Sequence, residues 1–349
     1  MPNPMVSPAR KRVLTGDRPT GRLHLGHYVG TLANRVRLQD EYEVFLVLAD
    51  YHMLTTHYRR DQVAQAPANI RDMVLDYLSV GIDPAKTIIY TQSQVPQVCE
   101  LQLLFSMLVS VARAQRIPTL KEVMAAQGIA QPSLGLLGYP VLQAADILLM
   151  RADMVPVGKD QVSHVELCRD IARRFNHLYG DTFPEPQALI GDVPLLVGTD
   201  GRSKMSKSLD NAIFLTDDED TVRHKVMRMY TDPTRRHATD PGHMEGNPLF
   251  IYHDTFNLNP AEVEDLKQRY RRGRVGDVEV KQRLFEALWA FLVPIQQRRA
   301  HYAAELRRID SLLEHGNARA MAEAQETIQL ARHAMGLSYA TTAPATRVP

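Results

Sequence analysis

Two short segments carry the residue types best suited to chemistry. The first is His24-Leu25-Gly26-His27, which follows a Pro19-Thr20-Gly21 turn. Gly26 removes a side chain where the phosphates of a ligand would come closest to the backbone. His24 and His27 share one side if helix has already begun there. A helix N-terminus keeps an imidazole neutral, with a lowered pKa, yet still able to donate a hydrogen bond to phosphate. The second segment is Arg202-Ser203-Lys204-Met205-Ser206-Lys207-Ser208, preceded by Gly198-Thr199-Asp200-Gly201. Its two lysines, on a loop rich in Gly and Ser, can deliver positive charge to a pyrophosphate leaving group. Taken singly, the first segment also suits two capping histidines in a turn, and the second a solvated basic loop. Together they suggest a triphosphate held at the first strand–helix junction and covered from the second half of the chain. GxxxxGK[ST] is absent from the sequence, which disfavours a P-loop NTPase.

Positioning these segments requires a scaffold, and the hydrophobic pattern supplies one. Val13-Leu14 starts a short strand, which the glycines and proline of Thr15 to Gly21 are expected to stop. A helix follows from His27 or Tyr28 through Leu32, Val36 and Leu38. Glu43 to Ala49 is apolar on successive residues, which predicts a strand covered on both faces, with Asp50 and His52 at its end. Residues 62–80 read as an amphipathic helix closed by Gly81 and Pro84, and Ile88-Ile89-Tyr90 as the next strand. Helices between strands argue for parallel βαβ units, with function at the carboxyl ends of the strands. Residues 97–127 read as helical with a break at Pro118. The glycine-rich Gly135–Pro140 stretch then leads into a helix over Val141–Met150. Asp146 falls among apolar neighbours on that helix, where a carboxylate needs a partner. A strand over Met154–Val157 ends at Gly158, and a helix runs through Val162, Val165, Leu167, Ile171 and Phe175.

Beyond residue 210 the chain becomes a series of charged amphipathic segments, 221–230, 260–271, 278–306 and 317–335. Phe285, Trp289 and Phe291 are expected to pack a helix core there. The predicted fold class is therefore α/β. A Rossmann-type parallel sheet over 11–210 carries a helical insertion near 97–140, and 211–337 forms a smaller C-terminal helical domain. Residues 1–10 and 338–349 read as a flexible arm and tail.

Composition narrows the function classes further. The 41 Lys and Arg against 40 Asp and Glu leave a net charge of +1, so overall charge is silent on partners. Cys99 and Cys168 are too few for a four-thiolate metal or cluster site, and as free thiols they fit a reducing compartment. No protein-held metal is expected. Apolar runs such as Phe45–Ala49 and Ile147–Met150 are too short to span a bilayer, and Met1–Pro8 lacks an apolar signal segment. A cytoplasmic protein away from membranes is the expectation.

Four stretches in order bring a specific resemblance. His24-Leu25-Gly26-His27 matches a HIGH signature, and Lys204-Met205-Ser206-Lys207-Ser208 matches KMSKS without a change. Between them lie Tyr139-Pro140-Val141-Leu142-Gln143-Ala144-Ala145-Asp146-Ile147-Leu148 and Val155-Pro156-Val157-Gly158-Lys159-Asp160-Gln161, the latter running on to His164, Glu166, Leu167, Arg169 and Asp170. On these residues the chain, from about 12 to 337, resembles the class I aminoacyl-tRNA synthetase family, most closely its bacterial tryptophanyl branch. The resemblance implies attack by the tryptophan carboxylate on the α-phosphorus of MgATP, departure of pyrophosphate, and transfer of the aminoacyl group to the terminal ribose of tRNA(Trp). It also implies Mg2+, a homodimer, and an anticodon-binding role for the helical domain.

The same resemblance implies the site. His24, His27, Lys204 and Lys207 would be catalytic. Arg18, Pro19, Thr20, Gly26, His27, Gly158, Lys159, Asp160, Leu195, Lys204, Met205, Ser206, Lys207 and Ser208 would hold ATP, with Gly158 and Asp160 at the ribose and Leu195 at adenine. Asp146 would accept the indole N–H, the one polar group of the tryptophan side chain. Tyr139, His52, Gln143 and Gln161 would shape the same pocket. Four positions depart from the family's common residues: His27 for Asn, Arg18 for Gln, Lys159 for Glu and Gln143 for Met. Lys267, Arg269, Arg271, Arg272, Arg274, Arg235 and Arg236 could face RNA phosphates or simply solvate helices. The alternative readings are a tyrosine-specific class I synthetase and a non-charging protein that binds ATP or tryptophan for regulation or interaction.

Overall fold

The computed structural model describes residues 10–158, 161–190 and 196–339. Five strands form its sheet: β1 Arg12–Asp17, β2 Glu43–Leu48, β3 Thr87–Thr91, β4 Met154–Val157 and β5 Gln187–Ile190. Their order is β3-β2-β1-β4-β5, and every adjacent pair is parallel. The winding reverses between β1 and β4, which opens a crevice beyond their carboxyl ends. Val44 to Leu48 are all buried, as a run of successive apolar residues requires.

Several expectations need correction. The glycine of Thr15-Gly16-Asp17 does not stop β1, which continues to Asp17. A Cβ on Gly16 would lie 2.2 Å from the Val47 carbonyl oxygen, so glycine here permits close strand approach. The helix expected over 62–80 is two, Arg60–Ala64 and Ala66–Val80, with Pro67 in the first turn of the second. Gly135, Gly138 and Pro140 do not precede a helix but lie inside one, Leu134–Leu149. Ser133 caps it, its Oγ accepting the Leu136 N–H at 3.1 Å. The correction matters because it puts Tyr139, Gln143 and Asp146 on one helical face.

Beyond the sheet lie helices Glu219–Met227, Pro248–Phe256, Pro260–Arg271, Asp277–Ala303 and Leu306–Ala334. Phe285 is buried, and Trp289 and Phe291 pack half-buried against the same core. Leu306–Ala334 returns to the sheet, where Ala320, Ala324, Ile328 and Ala331 join a core with Phe45 and Tyr90. A Cβ on its Gly316 would lie 1.8 Å from the Ile89 carbonyl oxygen, and Asn317 Oδ1 accepts the Thr91 N–H at 2.8 Å. Both cysteines are free, Cys99 exposed and Cys168 buried. Among the described residues no helix is long and apolar enough to cross a membrane.

Candidate active site

A cavity of about 400 Å³ opens where β1, β2 and β4 end. Arg18 follows β1, His52 follows β2 and Gly158 follows β4, while the helix Leu134–Leu149 contributes Tyr139, Gln143 and Asp146. Gln161 also lines it, so all five residues expected around the amino acid meet in one space.

Asp146 is only 4% exposed and is held from two sides. Gln92 Nε2 donates to both carboxylate oxygens at 2.9 Å, and His52 Nε2 stands 2.9 Å from Oδ2. The Gln92 amide is itself oriented, because its Oε1 accepts the His52 backbone N–H at 3.3 Å. One lone-pair site, on Oδ1, therefore remains beyond these contacts on a carboxylate whose direction is set. Gln92 was not found from the sequence. Its one signal was position, immediately after β3 on the functional end of the sheet.

A second network lies on the same helix face. Tyr139 OH is 2.7 Å from Thr119 Oγ1, and both hydroxyls reach His164 Nε2. His164 Nδ1 lies 2.6 Å from Gln143 Oε1, an atom that only accepts. In that contact Nδ1 is the donor. Burial raises the Tyr139 pKa, opposed by its Thr119 hydrogen bond and the Arg18 charge, so the hydroxyl keeps its proton.

The two phosphate-type segments are brought together by the chain that follows the second. Leu25 N–H donates to Ile213 O at 2.9 Å, and Leu215 N–H donates to Leu23 O at 3.0 Å. Gly26 N–H reaches Met205 Sδ at 3.3 Å, and a Cβ on Gly26 would lie 3.3 Å from Met205 Cβ. Gly26 therefore leaves room both for the His24 ring, whose Nδ1 would lie 2.9 Å from such a Cβ, and for the second segment. Lys207 Nζ donates to Gly21 O at 2.9 Å and Thr20 O at 3.4 Å, which ties the lysine to the Pro19-Thr20-Gly21 turn. Asn69 holds the turn from below, Nδ2 to Pro19 O at 3.0 Å.

Asn211 organises the lysine loop, and no sequence signal marked it. Its Oδ1 accepts the Ser206 N–H at 2.7 Å, while Nδ2 reaches Asp200 Oδ1, Ser203 Oγ and Lys204 O. Lys204 is exposed with no ion pair among the described residues. Ser208 falls in the short turn Lys207–Leu209, and its side chain lies outside the description. Lys159, Asp160 and Leu195 lie outside the described residues altogether.

The histidines have the electrostatics of neutral donors. His24 is 6% exposed, its backbone N–H donates to His27 Nδ1 at 3.1 Å, and its own Nδ1 is buried without a partner among the described residues. Burial, then His27, Lys207 and Lys204, pushes its pKa down to about 3. His27 falls to about 4, chiefly by burial, with Asp17 opposing and Lys207, Arg35 and Lys204 assisting. Burial also pushes the Lys207 pKa down, with Asp17 and Asp76 opposing. Asp17 is half-buried, and its desolvation favours the neutral form, yet the Arg35 guanidinium and the Tyr77 hydroxyl at 2.7 Å outweigh that and hold its pKa at about 2.

The basic residues of the helical region divide sharply. Arg235 is buried, paired with Asp277 at 3.2 Å and bonded to the carbonyls of Ala238, Asp240 and Val275, so it anchors the fold and does not face phosphate. Lys267 pairs with Asp254, and Arg269 with Asp265 and Glu279. Arg236, Arg271, Arg272 and Arg274 are exposed with no ion pair among the described residues.

Comparison with known proteins agrees with this geometry. Residues 8–293 match the family model of tRNA synthetases class I (W and Y). The tryptophan–tRNA ligase of Treponema pallidum is 59% identical over 327 residues, covering 94% of this chain and 97% of that protein. That of Borreliella burgdorferi is 53% identical over 331 residues, covering 94% of each. The crystal structure of Campylobacter jejuni tryptophanyl-tRNA synthetase with ADP and tryptophan superposes with a TM-score of 0.83 at 34% identity, over 93% of this chain and 99% of that one. With a parallel sheet open at its switch point, an oriented buried carboxylate and two interlocked phosphate-type segments, the chain belongs to the tryptophanyl class I aminoacyl-tRNA synthetases, which activate tryptophan with ATP and transfer it to tRNA(Trp).

Proposed function

We propose that tryptophan occupies the cavity with its indole N–H on Asp146, and that ATP lies across the two interlocked segments. The observation that carries this reading is the Asp146 carboxylate, buried and aimed by Gln92 and His52. An indole N–H gives such an acceptor its missing donor, and a charge-assisted hydrogen bond is the strong kind. His52, Tyr139, Gln143 and Gln161 line the rest of the amino-acid space.

In the first step a tryptophan carboxylate oxygen attacks the α-phosphorus, the bond to the bridging oxygen breaks, and its electron pair leaves on pyrophosphate. Lys204 and Lys207 neutralise the departing charge; neutral His24 and His27 donate hydrogen bonds to the phosphates. His24 Nδ1, buried without a partner among the described residues, is the atom that supports a nucleotide contact at this place. Arg18, Pro19, Thr20, Gly26, Met205, Ser206 and Ser208 frame the phosphates, Gly158, Lys159 and Asp160 meet the ribose, and Leu195 meets adenine. In the second step a terminal ribose hydroxyl of the tRNA attacks the aminoacyl carbonyl and AMP leaves. No cluster of three or more His, Cys, Asp or Glu side chains suited to a metal occurs among the described residues. Mg2+ would therefore arrive on the phosphates, where it offsets their charge.

The helical region 211–337 is assigned to the anticodon, with Arg236, Arg271, Arg272 and Arg274, exposed and without an ion pair among the described residues, as cations for RNA phosphates. A homodimer is supported by Leu103, Met107, Val111 and Leu134, large apolar side chains left exposed in the 97–140 region. The cytoplasm, where tRNA is charged and thiols stay reduced, is the assigned compartment. The direct test is amino-acid-dependent ATP–pyrophosphate exchange with tryptophan and tyrosine at matched concentrations. Exchange with tryptophan that Asp146→Asn weakens supports the cavity assignment, and exchange that this variant leaves untouched overturns it.

A further inference from the structure

We infer that Tyr252 is a positioning residue for adenylate formation: its hydroxyl, reaching out of the helical region, fixes the base of the hairpin that presents Lys204. The inference rests on the reading that Lys204 answers charge on the departing pyrophosphate.

A single bridged pair of residues carries that lysine. Val197 and Lys204 lie opposite each other, antiparallel, between bonds from Gly198 N–H to Ser203 O at 2.7 Å and from Met205 N–H to Leu196 O at 3.2 Å. A hairpin this short is marginal in water, so its direction must be set from outside. Lys204 is exposed with no ion pair among the described residues, and its own side chain supplies no anchor. A lysine side chain is long and flexible, so where its charge rests depends on its backbone being fixed.

Tyr252 supplies the anchor. It is fully buried in the helix Pro248–Phe256, and its hydroxyl donates to Val197 O at 2.7 Å. The bond lands on the residue directly across from Lys204. A second tyrosine of the helical region steadies the turn. Tyr230 N–H donates to Thr199 O at 2.9 Å, and a Cβ on Gly201 would lie 2.9 Å from Tyr230 Cγ. Burial pushes the Tyr252 pKa up, so the hydroxyl keeps its proton and remains a donor.

Tyr252 is held in turn by a row of rings. Its centroid lies 6.0 Å from that of Phe256, Phe256 lies 5.1 Å from Phe291, and Phe291 lies 4.8 Å from Tyr28, the residue after His27. The hairpin and the histidine segment therefore share one support, the core of the helical region. Charge assists the reaction only where it meets the charge that develops, and a misplacement of about 1 Å can cost about 10²-fold in rate.

The test compares wild type, Tyr252→Phe, Lys204→Ala and the double variant in tryptophan-dependent pyrophosphate exchange, with tryptophan affinity measured alongside. Tyr252→Phe keeps the packed ring and removes only the bond to Val197. It is expected to lower kcat about 10-fold while KM and affinity for tryptophan hold. In the Lys204→Ala background the same change should cost less than about twofold, because the charge being placed is gone. Gly201→Ala leaves Tyr252 intact and presses a methyl onto Tyr230, and it should lower kcat with the same sparing of tryptophan binding. A loss that recurs undiminished in the Lys204→Ala background, or a Tyr252→Phe kcat within about twofold of wild type, would overturn the inference. Lys204→Ala that exchanges at the wild-type rate would instead overturn the charge role of the lysine, which separates failure of that reading from failure of Tyr252.

Discussion

Asp146 is worth more than a single acceptor, because Gln92 and His52 fix the direction in which its remaining lone pair points. Asp146→Asn keeps the shape and removes the charge. A charge-assisted hydrogen bond contributes about 1.5–3 kcal/mol, so kcat/KM for tryptophan is expected to fall by about 10- to 100-fold. Selection against tyrosine should narrow with it, and an unchanged tryptophan-to-tyrosine ratio would show that another group reads the indole. Lys207 makes the opposite kind of prediction. Lys207→Ala should lower the rate of adenylate formation by about 10²-fold or more while tryptophan affinity holds, since its charge acts on the transition state. Equal loss of both in single-turnover and binding measurements would remove that role. The two histidines predict a pH effect whose sign is definite. Their folded pKa values, about 3 and about 4, lie below the ordinary 6.5, so the unfolded chain takes up protons that the folded chain refuses. Stability is therefore full above about pH 6.5, declines as pH falls below it and levels off near the folded values. Asp17, held at about 2, adds a further loss below its ordinary 3.8. Urea unfolding across pH 4 to 7 should show the upper part of this slope, and His27→Asn should flatten it.

At the scale of the element, what the sequence made legible depended on burial. β2 declared itself because both faces are covered, and β5 did not, because an edge strand of half-exposed residues carries no such pattern. The two signature segments were readable because glycines, histidines and lysines at set spacing have few other uses together. Gln92 and Asn211 were not, since an amide acquires its role only from what the fold brings beside it. Gly135 and Gly138 misled because glycine and proline weaken a helix locally, whereas here the Ser133 cap and a buried apolar face sustain it. Gly316 is a similar case seen from the other side. It looks like a weak point in Leu306–Ala334, yet it is where that helix touches β3. Gly316→Ala would gain helix propensity and still push a methyl into the Ile89 carbonyl. A net loss of about 1–3 kcal/mol is expected in urea denaturation. A gain in stability would mean that the helix can lift off the strand.

Across the whole molecule, the last helix covers β3 while Arg299, in the preceding helix Asp277–Ala303, pairs with Asp72 at 3.0 Å and Asp76 at 2.8 Å on Ala66–Val80. These contacts, with others such as Arg71–Asp310 and Arg332–Glu100, fasten the helical region to the scaffold of the site. Assembly is the prediction that belongs to this scale. If Leu103 and Met107 meet a second copy, Leu103→Glu with Met107→Glu should convert a dimer to a monomer in sedimentation, with little change in the melting of the monomer itself. A wild-type chain that already sediments as a monomer would dismiss that face. On the proposed reading the side chain of the amino acid meets one face of Leu134–Leu149, through Tyr139, Gln143 and Asp146, whereas the lysines and histidines sit on two separate segments. Heritable change in that single face can alter which letter of the genetic code is served, while the energy-spending half of the apparatus passes unaltered from ancestor to descendant.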